Sequence, residues 1–390
     1  MLDESLLDAP EALARSDTRG LLRGAAESGA RVRTAARAAA ESGLADLKPD
    51  GRPRSLLVAG SSPTTGCIAD LLYALAGGNT QVSVIRPTGA LPDPGALLWT
   101  LPGWAGPLDL LLVLTTDGTE PGLTALIEQA YRRGCAVVTV TPPRSPLTED
   151  AGGRHGLVVP LAPGPYEEVP EDQPLPDPGL RPALGPEPPG TLWALLTPLL
   201  VLMDKIGLFP AAQPAIQSVA DRLDKTAERC GPAIATYTNP AKTLAAELAD
   251  ALPLLWSEGP VAGVAARHFA HVLGVVAGRP ALAAELPDAL TAHGTLLAGA
   301  FSAAADPDDF FRDRVEEPQA LHARVVLLRE RAELGSNSPT PAARELALGR
   351  DAPVSELEPS DGNALEAVAE LLAITDFAAV YLALASGERT

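Results

Sequence analysis

Residues 109–141 read DLLLVLTTDGTEPGLTALIEQAYRRGCAVVTVT. The run from Leu110 to Leu114 is apolar at every position, the pattern of a strand buried on both faces of a parallel sheet. Thr115, Thr116, Asp117, Gly118, Thr119 and Glu120 then supply hydroxyls and a glycine where a strand hands over to a helix. Pro121 suits the first turn of that helix, which the spacing carries to about Arg133. Gly134 stops it, and Ala136 to Val140 returns as the next strand. A hydroxyl-rich loop at a helix N-terminus is a natural anion seat, because unpaired N–H groups and the helix dipole point the same way.

The flanking sequence repeats this unit. Ser55 to Ala59 predicts a strand, Gly60-Ser61-Ser62-Pro63-Thr64-Thr65-Gly66 a loop, and Cys67 to Ala76 a helix. Gln81 to Ile85 and Gly156 to Val159 add two strands. Strands alternating with helices of this length predict an α/β fold with a doubly wound parallel sheet. Ligands in such sheets sit at the carboxyl ends of the strands, where both hydroxyl loops fall. Ser61, Ser62, Thr65, Thr115, Thr116 and Thr119 are therefore the candidate anion-binding residues, and the family resemblance given below implies that the anion is a substrate phosphate. For the first loop a plain strand-to-helix turn is an equally good reading.

Two helices, 4–16 and 19–43, are expected ahead of this sheet, with Arg31, Arg33 and Arg37 on a solvated helix face. Residues 160–190 are crowded with proline and acidic side chains and read as a linker or exposed loop. The expected domains are therefore 1–159 and 191–390, separated by that segment. In the second half, helices are expected at 192–206, 212–229, from Asn239 onward, at 261–276 and at 363–384. Leu252 to Trp256 and Ala323 to Arg329 read as strands.

The totals narrow the function. The chain has 390 residues, 46% of them apolar and 20% charged, which is globular composition. A net charge of −19 repels phosphate backbones and argues against nucleic acid as a partner. Cys67, Cys135 and Cys230 are far apart in sequence with no CxxC, so neither zinc nor a disulfide framework is expected. The first residues have no signal-peptide pattern, and Pro198, Asp204 and Lys205 interrupt the greasiest stretch, 191–209, so a cytoplasmic location without membrane is expected.

Thr116, Thr119 and Glu120, the Asn239-Pro240-Ala241-Lys242 helix start, Ser257-Glu258-Gly259 after a strand, and Asp376-Phe377 followed by Val380-Tyr381-Leu382-Ala383-Leu384 occur in this order. That order resembles the sugar isomerase (SIS) domains of the bifunctional phosphoglucose/phosphomannose isomerase family, across nearly the whole chain. Thr65 and Asp70 look like the family's Gly-rich-loop positions, and Asp117-Gly118 stands where the family has Gly-Asn.

The resemblance implies two SIS-type parallel sheets flanked by helices, a homodimer, and no cofactor or metal. It further implies aldose–ketose isomerisation of glucose 6-phosphate or mannose 6-phosphate to fructose 6-phosphate. That reaction needs a base over the reacting carbons and an acid/base for ring opening. The base position carries Val275, which cannot accept a proton. His293, after Leu286-Pro287-Asp288, matches the ring-opening histidine if the turn is shifted by about a residue, and is otherwise a structural histidine. The family's Arg is loosely matched by Arg181-Pro182, and its C-terminal Lys has no counterpart before Thr390. Glu258, Glu285 and His271 could stand in for the base, while His268 and His271, one turn apart, read as surface or packing groups. Asp306 to Arg314 reads as an exposed charged loop. The functional expectations are an isomerase, a non-catalytic phosphosugar sensor, or a structural dimer.

Overall fold

The computed structural model describes residues 2–44, 51–89, 95–152, 156–162, 186–299, 322–330 and 337–387. In chain order the described elements are α1 (Glu4–Leu7), α2 (Pro10–Ser16), α3 (Leu21–Ala26), α4 (Ser28–Glu41), β1 (Ser55–Gly60), α5 (Thr65–Ala76), β2 (Gln81–Ile85), β3 (Asp109–Leu114), α6 (Pro121–Arg132), β4 (Ala136–Thr141), α7 (Pro146–Ala151), β5 (Leu157–Pro160) and α8 (Gly190–Lys205). They continue as α9 (Gln213–Cys230), α10 (Pro240–Leu248), β6 (Ala251–Glu258), α11 (Pro260–Ala277), β7 (Leu282–Glu285), α12 (Asp288–Ala298), β8 (His322–Arg329), α13 (Thr340–Leu348), β9 (Val354–Leu357) and α14 (Ala364–Ala385).

The chain divides into a continuous unit, Ala26–Asp224, and a split unit, Met1–Ala25 with Lys225–Thr390. The continuous unit holds a five-stranded sheet in the order β2-β1-β3-β4-β5, parallel throughout. Every residue of β1 and of β3 is buried, as the unbroken apolar run of β3 requires of a central strand covered on both faces. Leu57, Leu111 and Val113 pack with Leu123 and Leu126 of α6 and with Trp99 in one core.

The split unit holds a four-stranded parallel sheet, β7-β6-β8-β9. Pro253 stands in β6 where pairing to β8 exists but pairing to β7 begins one residue later, at Leu254, so its missing N–H leaves no partner unmet. Leu254, Trp256, Val325 and Leu327 pack with Leu297 of α12. The helix α14 is buried over almost its whole length and packs on α10 and α11. A capping box starts it: Asn363 Oδ1 accepts the Glu366 N–H, and the Glu366 carboxylate accepts the Asn363 N–H, both at 3.0 Å. By length and composition α11 and α14 could cross a membrane, but 61% and 94% of their apolar windows are buried inside the protein, as in core helices.

The doubly wound sheets match the sequence reading, and several details correct it. The division does not fall at 160–190. Helix α8 packs on α4, which takes the expected start of the second domain into the continuous unit. The leading residues go with the split unit, where α1 packs on α14 and the Asp3 N–H donates to the Ala385 carbonyl at 2.8 Å. Helix 4–16 is two helices, because Pro10 lacks an N–H and opens α2 at its first position. Arg31 is buried rather than solvated, and Arg33 pairs with Asp221 at 2.8 Å and Asp224 at 2.7 Å. Arg181-Pro182, residues 163–185 and Asp306 to Arg314 lie outside the described residues.

Candidate functional site

Strands β1 and β3 are paired in register to Gly60 and Leu114, so the residues that follow each leave the sheet side by side. Ser61 and Thr115 are consequently adjacent, with Oγ and Oγ1 3.4 Å apart. The missing side chain at Gly60 makes room here, since a Cβ would lie 2.6 Å from Thr65 Oγ1. Gly118 has φ +74°, and a Cβ there would meet the Ser145 side chain at 2.5 Å, so the Asp-Gly pair is needed for the turn into α6.

Two carboxylates sit among these hydroxyls. Glu120 Oε1 accepts from Thr115 Oγ1 at 2.7 Å and from Ser61 Oγ. Thr115 Oγ1 in turn accepts the N–H groups of Asp117 at 3.0 Å and Gly118 at 2.9 Å, which fixes the loop. Glu187, just before α8, accepts from Ser62 Oγ at 2.7 Å and from Thr116 Oγ1 at 3.3 Å. Burial pushes the Glu187 carboxyl above its usual range, against the pull of the Ser62 and Thr116 hydroxyls. Glu120 Oε2 and Thr65 Oγ1 are buried with no hydrogen-bond partner among the described residues.

Of the sequence-predicted residues, the structure brings Ser61, Ser62, Thr115 and Thr116 into one cluster. Thr65 is buried in the first turn of α5, beside that cluster. Thr119 turns away to donate to the Asp117 carboxylate. Sequence reasoning missed Glu187, which sits in a Glu-Pro-Pro-Gly run that carries no local signal.

In the split unit the expected catalytic position looks different. His293 lies on α12, buried, with Nδ1 accepting the Trp256 indole N–H at 2.8 Å, so its own ring proton sits on Nε2. Burial pushes its pKa below the usual histidine value. These contacts suit the structural reading of His293, which the sequence leaves open beside the ring-opening one. Val275 is 44% exposed on α11. His268 is buried and its Nε2 meets Asp376 Oδ1 at 2.8 Å, a packing arrangement between α11 and α14.

The carboxylates considered as substitutes for the base are also engaged. Glu258 accepts from Thr340 Oγ1 at 2.5 Å and from Arg329 Nε at 3.3 Å. Glu285 pairs with Arg267 at 2.5 Å. Glu330, which the sequence reading did not single out, accepts the backbone N–H groups of Val261 and of Ala262, the latter at 3.0 Å. It thus fills the N-terminal seat of α11 with the chain's own negative charge.

Two parallel sheets flanked by helices, the first with hydroxyl loops at its strand ends, make a SIS-like fold. Residues 237–388 match the family described as the bacterial phospho-glucose isomerase C-terminal SIS domain. No curated protein matches it. Among solved structures, a hypothetical protein from Thermus thermophilus is similar at TM-score 0.60 and 13% identity, over 97% of this chain and 89% of that one. The C-terminal domain of glucosamine-fructose-6-phosphate aminotransferase from Francisella tularensis gives TM-score 0.53 and 12% identity, over 94% and 96%. Tagatose-6-phosphate ketose/aldose isomerase from Escherichia coli gives 0.52 and 14%, over 95% and 91%. At these identities the likeness is one of fold.

Proposed function

We propose that this chain binds a hexose 6-phosphate at the β1 and β3 strand ends of the continuous unit, as a non-catalytic sensor or regulatory subunit rather than an isomerase. The observation that carries the reading is the convergence of the Ser61, Ser62, Thr115 and Thr116 hydroxyls, all of which already donate to anionic oxygen. Hydroxyls that donate to a carboxylate can donate equally well to a phosphoryl oxygen. Two proteins of similar fold carry a 6-phosphate sugar in their names, which supports the ligand class.

Against turnover stand Val275 at the expected base position and the buried, Trp256-bonded His293. A proton transfer between sugar carbons needs a group within hydrogen-bond reach of the substrate. With the reading go a homodimer, as the family resemblance implies, and a cytoplasmic location, which the three free cysteines support.

The test is isothermal titration with glucose, mannose and fructose 6-phosphates, with an isomerase assay on the same sample. Binding without interconversion is the expected result. Interconversion would make the chain an enzyme, and failure to bind all three sugars would remove the phosphosugar reading.

A further inference from the structure

We propose that Glu187 is the resident occupant of the phosphate seat and that a phosphosugar must displace it to bind. The inference rests on the ligand reading above and adds the residue that sets its affinity. Glu187 places Oε2 on Ser62 of the β1 loop, 2.7 Å away, and Oε1 on Thr116 of the β3 loop, 3.3 Å away. One carboxylate therefore spans the two loops as a phosphoryl group would, with an oxygen on each.

A hydroxyl has one proton to donate, so Ser62 and Thr116 cannot serve Glu187 and a phosphoryl oxygen together. The seat has a second mark of an unfinished site. Glu120 is 1% exposed and Thr65 5% exposed, yet Glu120 Oε2 and Thr65 Oγ1 find no partner among the described residues. Buried polar atoms are normally bonded, and a sugar hydroxyl supplies both the donor that Glu120 lacks and an acceptor for Thr65. Among the described residues, the donors to Glu187 are the two hydroxyls alone, and no guanidinium or ammonium holds it there.

Tethered three residues ahead of α8 (Pro188 and Pro189 intervene), the carboxylate is a competitor at an effective concentration of roughly millimolar or above. Such a competitor lowers the apparent affinity by the fraction of time it vacates the seat. It also repels the phosphate dianion while it remains nearby.

The experiment titrates glucose, mannose and fructose 6-phosphates into the full-length wild type, Glu187→Ala and Glu187→Gln, with circular dichroism confirming that each is folded. Inorganic phosphate serves as a fourth ligand. The expected result is binding at least tenfold tighter in Glu187→Ala, with Glu187→Gln between it and the wild type. Wild-type binding that is unchanged or weakened in both variants would overturn the proposal and leave the phosphosugar reading standing. If none of the three proteins binds any of the four ligands, the phosphosugar reading fails and this inference falls with it.

Discussion

The indole N–H of Trp256 in β6 donates to Nδ1 of His293 in α12 at 2.8 Å, and both side chains are buried. The bond ties the helix to the centre of the sheet and requires a neutral imidazole. Substituting His293→Ala opens a cavity and leaves the indole N–H unpaired, a loss of about 3 kcal/mol. Thermal melts at neutral pH check it.

The same pair sets a pH dependence. Burial lowers the folded-state pKa of His293, so the unfolded chain takes up the proton first as pH falls. Its contribution is complete above the ordinary histidine pKa of about 6.5 and is lost as pH drops through the lower folded value. His271, also lowered by burial and then by His268, acts in the same direction. Melting temperature should therefore fall between neutrality and mild acid, with a shallower slope in His293→Ala.

Asp109, the first residue of β3, accepts from Arg54 Nε at 3.0 Å, Arg54 Nη2 at 2.6 Å, Ser55 Oγ at 2.8 Å and the Gly106 N–H at 2.9 Å. Burial alone would raise its pKa, and Arg54, Ser55 and Gly106 together outweigh it and hold the carboxyl below its usual range. The Arg54 side chain is 54% exposed, so solvent screens its share, and Ser55 and Gly106 carry much of the hold. Asp109→Ala is expected to cost about 2–3 kcal/mol in urea denaturation. The carboxylate's contribution persists above about pH 3.9 and is lost as pH falls below that toward its folded pKa.

Thr115→Val keeps the shape of the side chain and removes its oxygen. Glu120 Oε1 loses a donor, and the N–H groups of Asp117 and Gly118 lose their acceptor. We expect a destabilisation of about 2 kcal/mol together with loss of hexose 6-phosphate binding, whereas Thr115→Ser retains both. Calorimetry on the two variants separates the hydroxyl from the methyl.

Asn363→Ala removes one half of the capping box that starts α14. The expected cost is about 1 kcal/mol, read as a lower melting temperature with no effect on ligand binding.

The continuous unit was legible because its central strands carry apolar runs and its turns are marked by glycine and proline. Leu110 to Leu114 could be read as a doubly covered strand without knowing its neighbours. The short edge strands β7 (Leu282–Glu285) and β9 (Val354–Leu357) were not, since four residues of mixed exposure show neither an apolar run nor a clear alternation. The hydroxyl loops were visible as loops, but their occupant was not. Glu187 lies 125 residues from Ser62 and 71 from Thr116, and nothing in its proline-rich surroundings marks it. His293 was visible as a histidine at a suggestive spacing. That Trp256, 37 residues earlier, would bind its Nδ1 depends on how α12 packs against β6.

The split unit combines Met1–Ala25 with Lys225–Thr390. Its two parts leave the ribosome far apart in time. Ala26–Asp224 is one uninterrupted run that can close its sheet while synthesis continues. Asp3, by contrast, donates to Ala385, and α1 rests on α14, so α1 must wait for a helix made long after it. At typical rates of about 5–20 residues per second that wait is roughly 20–70 s. During it Leu7, buried in the finished protein, has yet to meet the helix on which α1 packs, and its apolar side chain stays open to water.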